Sequence, residues 1–417
     1  MVREKDSSFI VGDVLLLTQH LVPHVPVSTS AKIKHDMAQS NNNDYVLADC
    51  HIHLMGDDVQ ELVRTTDAMR REHDIDTASL LSYVNECEDM SAQNLIVMAY
   101  KALYPLDMYA FAGLHYHLPK QKKDSQDYLD QLVRFMGMGY DGIKRVDSIP
   151  WIRKLIGDIP ADSPVYDGFH DYLQDHQVPV FWHVGDPETY WDEQTCPQWA
   201  KDKGWKYYDG TFVRNEALYR EVENVLTKYP SLRIVFDHFY FLSHDLKRAA
   251  RFLDRWPRVY LTFSPGCEMY YNFSASREET RDFFVHYQNR LLFGTDMGYD
   301  DWYMPAETKI KEARDTVRSM RRFFETEDTF KPSEDPHSMW SRGENALTGI
   351  GLPASILRKI YRDNYMRYIQ RPPSPLAIGE IIDYADEIIS TFSKTKANER
   401  VVNQARGCLE ILKKTGK

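Results

Sequence analysis

Cysteine is scarce and never set in a metal-binding spacing. Five occur in 417 residues (Cys50, Cys87, Cys196, Cys267 and Cys408), with no C-x-x-C among them. That odd, scattered set argues against a disulfide framework or a cysteine-held metal and fits a reduced, cytoplasmic protein. Clustered basic charge is also lacking. Acidic residues outnumber Lys and Arg by 62 to 51, giving a net charge of -11. There is no block of basic residues, and phosphate binding needs one, so a nucleic-acid partner is not expected. No apolar stretch approaches the ~20 residues that span a bilayer, so no membrane is expected either. The first apolar run, "FIVGDVLLL", carries Asp13 in its middle and has no Ala-x-Ala exit. It reads as a short strand or helix start rather than a signal peptide.

What is present is ordinary globular composition, 43% hydrophobic and 27% charged. After a polar stretch over residues 28–44, eight short apolar runs alternate with longer amphipathic segments. The runs are "YVLADCHIHL", "NLIVMAY", "MYAFAGLHY", "DGIKRV", "VPVFWHVGD", "RIVFDHF", "VYLTFSP" and "LLFGTDM". Most are near-continuous apolar segments, as strands buried on both faces should be. Helical patterns separate them at 126–139, 163–176, 218–230 and 245–257. Eightfold strand–helix alternation predicts an α/β fold, a closed (β/α)8 TIM barrel. The expected organisation is an N-terminal extension (1–44), a barrel (45–370) and, after the break "RPPSPL", a C-terminal helical extension (371–417). Two amphipathic helices near 377–393 and 397–414 make up that extension, and their apolar faces need either the protein's own barrel or a second subunit. A long loop, 186–217, leaves the fifth strand and is dense in aromatics, including Tyr190, Trp191, Trp199, Trp205, Tyr207 and Tyr208. Such a loop at a strand's C-terminal end is either a self-packed aromatic cover or a substrate-facing lid.

The chemistry gathers at strand ends. In "ADCHIHL", His51 and His53 share one side of a strand, roughly 6–7 Å apart. Two imidazoles there reach one ion at the usual ~2.0–2.1 Å metal–nitrogen distance. His183, His238 and Asp296 end three further apolar strands, the fifth, sixth and eighth. Ionisable groups in such places are unfavourable unless paired or ligating.

This pattern, D-x-H-x-H on the first strand and then strand-end His, His and Asp, resembles the amidohydrolase superfamily. It is most similar to the amidohydrolase-2 group of aminocarboxymuconate-semialdehyde decarboxylase-like and pyrone-dicarboxylate lactonase-like enzymes. The segment "FFETEDTF … GIGLPASILRKIYRDNYMRYI" resembles the way those proteins close their barrel, and the likeness covers roughly residues 45–370. The resemblance implies one divalent metal ion, zinc first and manganese next, held by His51, His53, His183 and Asp296. Asp296 would double as general base, and His238 would serve as acid/base or polarise the substrate. The implied function is a metal-dependent hydrolase that uses a metal-activated water to cleave a small-molecule amide, lactone or ester. The alternative is a non-oxidative decarboxylase, a lyase, on the same scaffold.

Other residues receive narrower expectations. Lys144 in "DGIKRV" either becomes carbamylated and bridges two metals, as in binuclear relatives, or fixes a substrate carboxylate; one metal is the expectation. His115 and His117 in "GLHYHL", together with Trp182, Tyr190 and Trp302, are candidate substrate contacts, and Tyr299 stands close to Trp302. Arg145 should point to the helical layer. Asp237 should alternate outward as a structural residue. Glu268, after "FSPGC", can reach the rim from the seventh loop. Asp49 is either an outer partner of a ligand imidazole or a strand-start carboxylate bonded to backbone. The expected partners are a small-molecule substrate and further copies of the chain.

Overall fold

The computed structural model describes residues 45–83, 91–116, 124–266, 268–298, 305–335, 338–341, 346–394 and 398–415. The expectations for the N-terminal extension, Cys87, His117, Cys267, Tyr299 and Trp302 lie outside them. Eight strands pair in parallel in chain order: β1 (Leu47–Ile52), β2 (Ile75–Leu81), β3 (Met108–Gly113), β4 (Gly142–Ser148), β5 (Pro179–Val184), β6 (Arg233–Phe236), β7 (Val259–Thr262) and β8 (Leu291–Leu292). The ring closes between β8 and β1. Cys50 N donates to Phe293 O at 2.9 Å, Asp296 N to His51 O at 2.9 Å and His53 N to Met297 O at 3.0 Å. The expected (β/α)8 TIM barrel is therefore present, with helices between the strands.

One strand was misread. "NLIVMAY" lies inside the helix Ser91–Leu103, and the second strand is "IDTASLL" instead. A continuous apolar run cannot be told from a fully buried helix by periodicity. Every residue of that helix from Ser91 to Ala102 is buried, because the C-terminal helices Ile378–Phe392 and Glu399–Thr415 cover the face that would otherwise meet water. Their buried side chains include Ile381, Ile388, Val401, Ala405 and Leu412. They pack on the protein's own barrel helices, the simpler of the two expected arrangements.

The barrel interior is filled at its N-terminal end. Ala48, Cys50, Leu81, Phe111, Phe181, Val235 and Leu292 form an inner cluster with Tyr365, Tyr368 and Ile369. Tyr368 Oη lies within hydrogen-bond reach of Val180 N (3.1 Å) and Arg233 O (3.0 Å), at the starts of β5 and β6. That mouth is plugged, so polar side chains can gather only at the other one. The helix Ser125–Met138 shows how local chemistry sets element ends. Asp124 accepts a hydrogen bond from Asp127 N at its start, and Gly139 stops it at φ 97°, where a Cβ would meet Pro375 O at 2.2 Å. The aromatic loop after β5 largely packs on itself. Tyr190, Trp191, Cys196, Ala200 and Tyr207 form a small core of their own, with Trp199, Trp205, Tyr208 and Phe212 against it.

Candidate metal centre

The register of β1 shifts between Asp49 and Ile52, where the inward face passes from Cys50 to His51. Asp49 is fully buried and is held by His51 N (2.9 Å), Thr295 N (3.1 Å) and Thr295 Oγ1 (2.6 Å), so it ties β1 to the end of β8. Of its two expected roles, this is the backbone-bonded one. Burial raises its carboxyl to about 6, against the pull of those hydrogen bonds.

Three donors converge above it. His51 Nε2 lies 3.0 Å from His53 Nε2 and 3.1 Å from Asp296 Oδ1, and His53 Nε2 is 3.4 Å from the same oxygen. A tetrahedral cage with metal–ligand bonds of ~2.0–2.1 Å has edges of ~3.3 Å, so this triangle already has the size of one face. The protons point elsewhere. His53 Nδ1 faces Leu81 O at 2.7 Å, and a carbonyl only accepts, so Nδ1 carries the hydrogen and Nε2 is bare. His51 Nδ1 faces Asp237 Oδ1 at 3.2 Å; in the neutral ring a hydrogen on Nδ1 leaves Nε2 bare for an ion, and in the cation-free site a proton takes that place. An imidazole whose second nitrogen is held by a carbonyl or carboxylate is the usual arrangement of a metal-ligating histidine. Three lone-pair donors aimed at one another, with Asp296 Oδ1 buried and lacking a hydrogen-bond partner, repel unless a cation or proton lies between them. Burial works to keep His51 neutral, but Asp237 and Asp296 outweigh it and Lys144 together, and lift the imidazole to about 8. Burial also opposes the charge on Asp296, yet His51 and His53 hold that carboxyl well below its ordinary range. The residues therefore fit a divalent cation.

Beneath this triangle runs a polar chain. Lys144 Nζ donates to Asp237 Oδ2, and Asp237 turns its other oxygen to His51. The expectation that Asp237 faces outward is overturned. Val235 belongs to the inner cluster, and Asp237, two residues on, keeps its inward face. The misreading came from carrying the strand through His238. β6 ends at Phe236, and residues 238–241 form a left-handed turn with φ between 51° and 57°. That turn swings His238 to the mouth, where its ring centroid lies 5.3 Å from that of His51 and 4.8 Å from that of His183. His238 Nδ1 faces Ser264 O at 3.3 Å, so Nε2 carries the lone pair. Burial lowers His238 to about 3, and it stays neutral at neutral pH. His183 is lowered to about 3 in the same way. Its Nε2 is buried without a hydrogen-bond partner and stands 3.9 Å from Asp186 Oδ1. It lies across the mouth, outside the tight group of His51, His53 and Asp296, whose ligand atoms fall within 4.8 Å of one another.

Several expected contacts are not brought here. Trp182 alternates away from His183 into the helical layer. It is fully buried there, stacked 5.9 Å from Phe236 with its Nε1 on Ser148 Oγ. Arg145 lies over it at 4.0 Å and pairs with Asp147, as expected of a residue facing the helices. His115 Nε2 is 2.7 Å from Tyr384 Oη of the C-terminal extension, and Tyr190 is built into the loop's own aromatic core. Lys144, expected at a substrate or second metal, is engaged by Asp237. Asp186 was not singled out in the sequence. Its signal is position alone, three residues after His183 in "HVGD".

A closed parallel barrel with imidazoles and a carboxylate converging at its C-terminal mouth has the layout of a metal-dependent barrel enzyme. The family model described as amidohydrolase matches residues 48–368, and the chain belongs to that family, whose members are metal-dependent enzymes. No curated protein matches the sequence. Similar solved structures include a putative amidohydrolase from Staphylococcus aureus, at 13% identity over 78% of this chain and 99% of that one, TM-score 0.47. Another is 2,6-dihydroxybenzoate decarboxylase complexed with 2,6-dihydroxybenzoate, at 14% identity over 78% of this chain and 99% of that one, TM-score 0.43. A third is an uncharacterised TIM-barrel protein from Bordetella bronchiseptica, at 12% identity over 73% of this chain and 83% of that one, TM-score 0.43. None of them bears on the reaction of this chain.

Proposed function

We propose that this protein is a metal-dependent hydrolase of a small-molecule amide, lactone or ester. The observation that carries the choice of hydrolysis is the engagement of Lys144 by Asp237. The alternative, non-oxidative decarboxylation, needs a cationic grip on the carboxylate that leaves. Among the described residues Lys144 is the only lysine or arginine in hydrogen-bond or ion-pair contact with the site's histidines and aspartates, and its charge is already balanced.

In this reading His51, His53 and Asp296 hold the ion, and His183 completes the set. Three nitrogens and a carboxylate suit zinc, and manganese accepts the same donors. When bound, such an ion acidifies water and polarises a carbonyl. The protein's own groups do the rest. Asp237 and Leu81 O fix the two ligand imidazoles by their Nδ1 sides. Asp296, ionised, accepts the proton of the attacking water as the water oxygen bonds to the substrate's carbonyl carbon. His238 offers a bare Nε2 that relays this proton to the leaving nitrogen or oxygen as its bond to carbon breaks. Among the described residues no helix is long and apolar enough to cross a membrane. Cys50, Cys196 and Cys408 are free and buried, which supports a reducing, cytoplasmic setting.

The test is metal analysis of the purified protein, followed by parallel assays for hydrolysis and for CO2 release. The expected result is one equivalent of divalent metal per chain, hydrolysis that stringent chelation abolishes, and no CO2 from a panel of aromatic acids. Full activity in the chelated protein, or CO2 release without hydrolysis, would overturn the reading.

A further inference from the structure

We propose that Glu268, seconded by Asp186, forms the substrate-recognising wall of the metal centre, and that the group they face is a nitrogen-bearing donor, an amide, ureide or amine N–H, rather than a carboxylate. The proposal rests on the hydrolase reading and narrows its substrate class.

Glu268 follows β7, at the start of the helix Met269–Ala275, but its side chain makes no capping hydrogen bond there. The carboxyl instead accepts from its own backbone N–H and lies beside Gly266, which also neighbours His238. A Cβ placed on Gly266 would lie 3.8 Å from Glu268 Oε2, 3.9 Å from Oε1 and 4.0 Å from His238 Cβ. Glu268 Oε2 is buried and has no hydrogen-bond partner among the described residues. Leaving such an oxygen unsatisfied is unfavourable, and a donor brought by a ligand removes that penalty.

Asp186 stands on the His183 side of the same mouth and is held rigidly. Tyr207 Oη donates to its Oδ2 at 2.7 Å. Its backbone N donates to Asn215 Oδ1 at 3.2 Å, and Asn215 Nδ2 returns a bond to its carbonyl at 2.7 Å. Asp186 Oδ1 is left facing His183 Nε2 at 3.9 Å. The two carboxyls are close enough to feel each other. Burial raises Glu268 to about 7, and the charge of Asp186 adds to the rise. No described lysine or arginine contacts either one, and Lys144 is engaged by Asp237. Burial raises Asp186 to about 7 as well, so above that pH, where both are ionised, a substrate carboxylate on this wall would meet like charge without a counter-ion, whereas an N–H donor meets an acceptor that needs one.

The test uses the metal-loaded enzyme and three matched probes with the same acyl groups: p-nitroanilides, their N-methyl counterparts and p-nitrophenyl esters. The variants are Glu268→Ala and Glu268→Gln, with bound metal per chain as the check on folding. Wild type should favour the N–H anilide over its N-methyl form by at least tenfold in kcat/KM. Glu268→Ala should remove that preference through KM, lowering kcat/KM for the N–H anilide at least tenfold more than for its N-methyl counterpart or the ester. Glu268→Gln, which keeps an acceptor oxygen, should retain most of it. Equal turnover of the two anilides by wild type, or an undiminished preference in Glu268→Ala, overturns the role of Glu268 and leaves the hydrolase reading standing. No hydrolysis of any probe counts against the hydrolase reading itself and takes this proposal with it.

Discussion

Asp237 carries more than its position before a site histidine implies. It balances Lys144 on one oxygen and faces His51 on the other, and these three charges together set the state of the cation-free site. Replacing it by asparagine keeps the shape but leaves a buried lysine unpaired and a ligand imidazole without its carboxylate. Asp237→Asn should therefore weaken metal affinity by ~10–100-fold, the usual range for a residue that orients a ligand, and chelator competition measures it. Trp182→Phe should behave in the opposite way. It removes a hydrogen bond to Ser148 and shrinks the ring under Arg145, so it should lower thermal stability while leaving KM within twofold. The contrast reflects what was legible at this scale. His51, His53 and Asp296 were visible because ionisable groups interrupt apolar strands, and their donors do converge. Trp182 was misplaced by treating the neighbour of a site residue as a rim residue, although alternation along β5 puts it on the opposite face. Asp237 was misplaced because no residue type in "FDHFYF" announces a left-handed turn of four non-glycine residues.

At the scale of elements, the barrel depends on cover supplied from outside it. The helix Ser91–Leu103 is apolar almost throughout, and the two C-terminal helices turn it into core. Burying each of Ile381, Ile388, Val401 and Leu412 contributes ~1.5–3 kcal/mol, and a whole domain's net stability is only ~5–15 kcal/mol. A chain ending at residue 370 should thus be insoluble or bind hydrophobic dyes in its native state; a monodisperse, cooperatively melting truncation would disprove the dependence. His115→Gln belongs to this account as well, since His115 meets Tyr384 of that extension. Its effect should appear in the melting temperature and not in kcat. The same cover explains which elements the sequence disclosed. Strands with continuous apolar runs were readable. β2 was not, because Asp76 pairs with Arg362, and Ser79 meets Tyr365 Oη at 2.7 Å inside the barrel; those polar contacts break the run that marks a buried strand.

The molecule as a whole buries histidines far from the metal centre, and this makes folding pH-dependent in a definite direction. Burial lowers His73 to about 4, and Glu72 offsets it only in part. Burial and the Arg145 guanidinium push His170 well below its ordinary value; Arg145 Nη1 donates to His170 Nε2 at 2.7 Å, which requires the neutral ring. In the unfolded chain each takes its proton near pH ~6.5. Below that pH the unfolded state binds more protons than the folded one, so stability falls as pH falls, by up to ~1.4 kcal/mol per pH unit for each histidine. For His73 the window runs from about 6.5 down to about 4, a loss of roughly 3 kcal/mol across it. Chelator-treated protein isolates this effect from loss of metal, and urea midpoints at pH 7 and pH 4.5 measure it. Wild type should lose more of its midpoint on acidification than His73→Gln or His170→Gln, whatever each variant's stability at pH 7. If both variants fall as steeply as wild type, these buried imidazoles do not set the acid limit, and the titrating groups must be sought among the carboxylates instead.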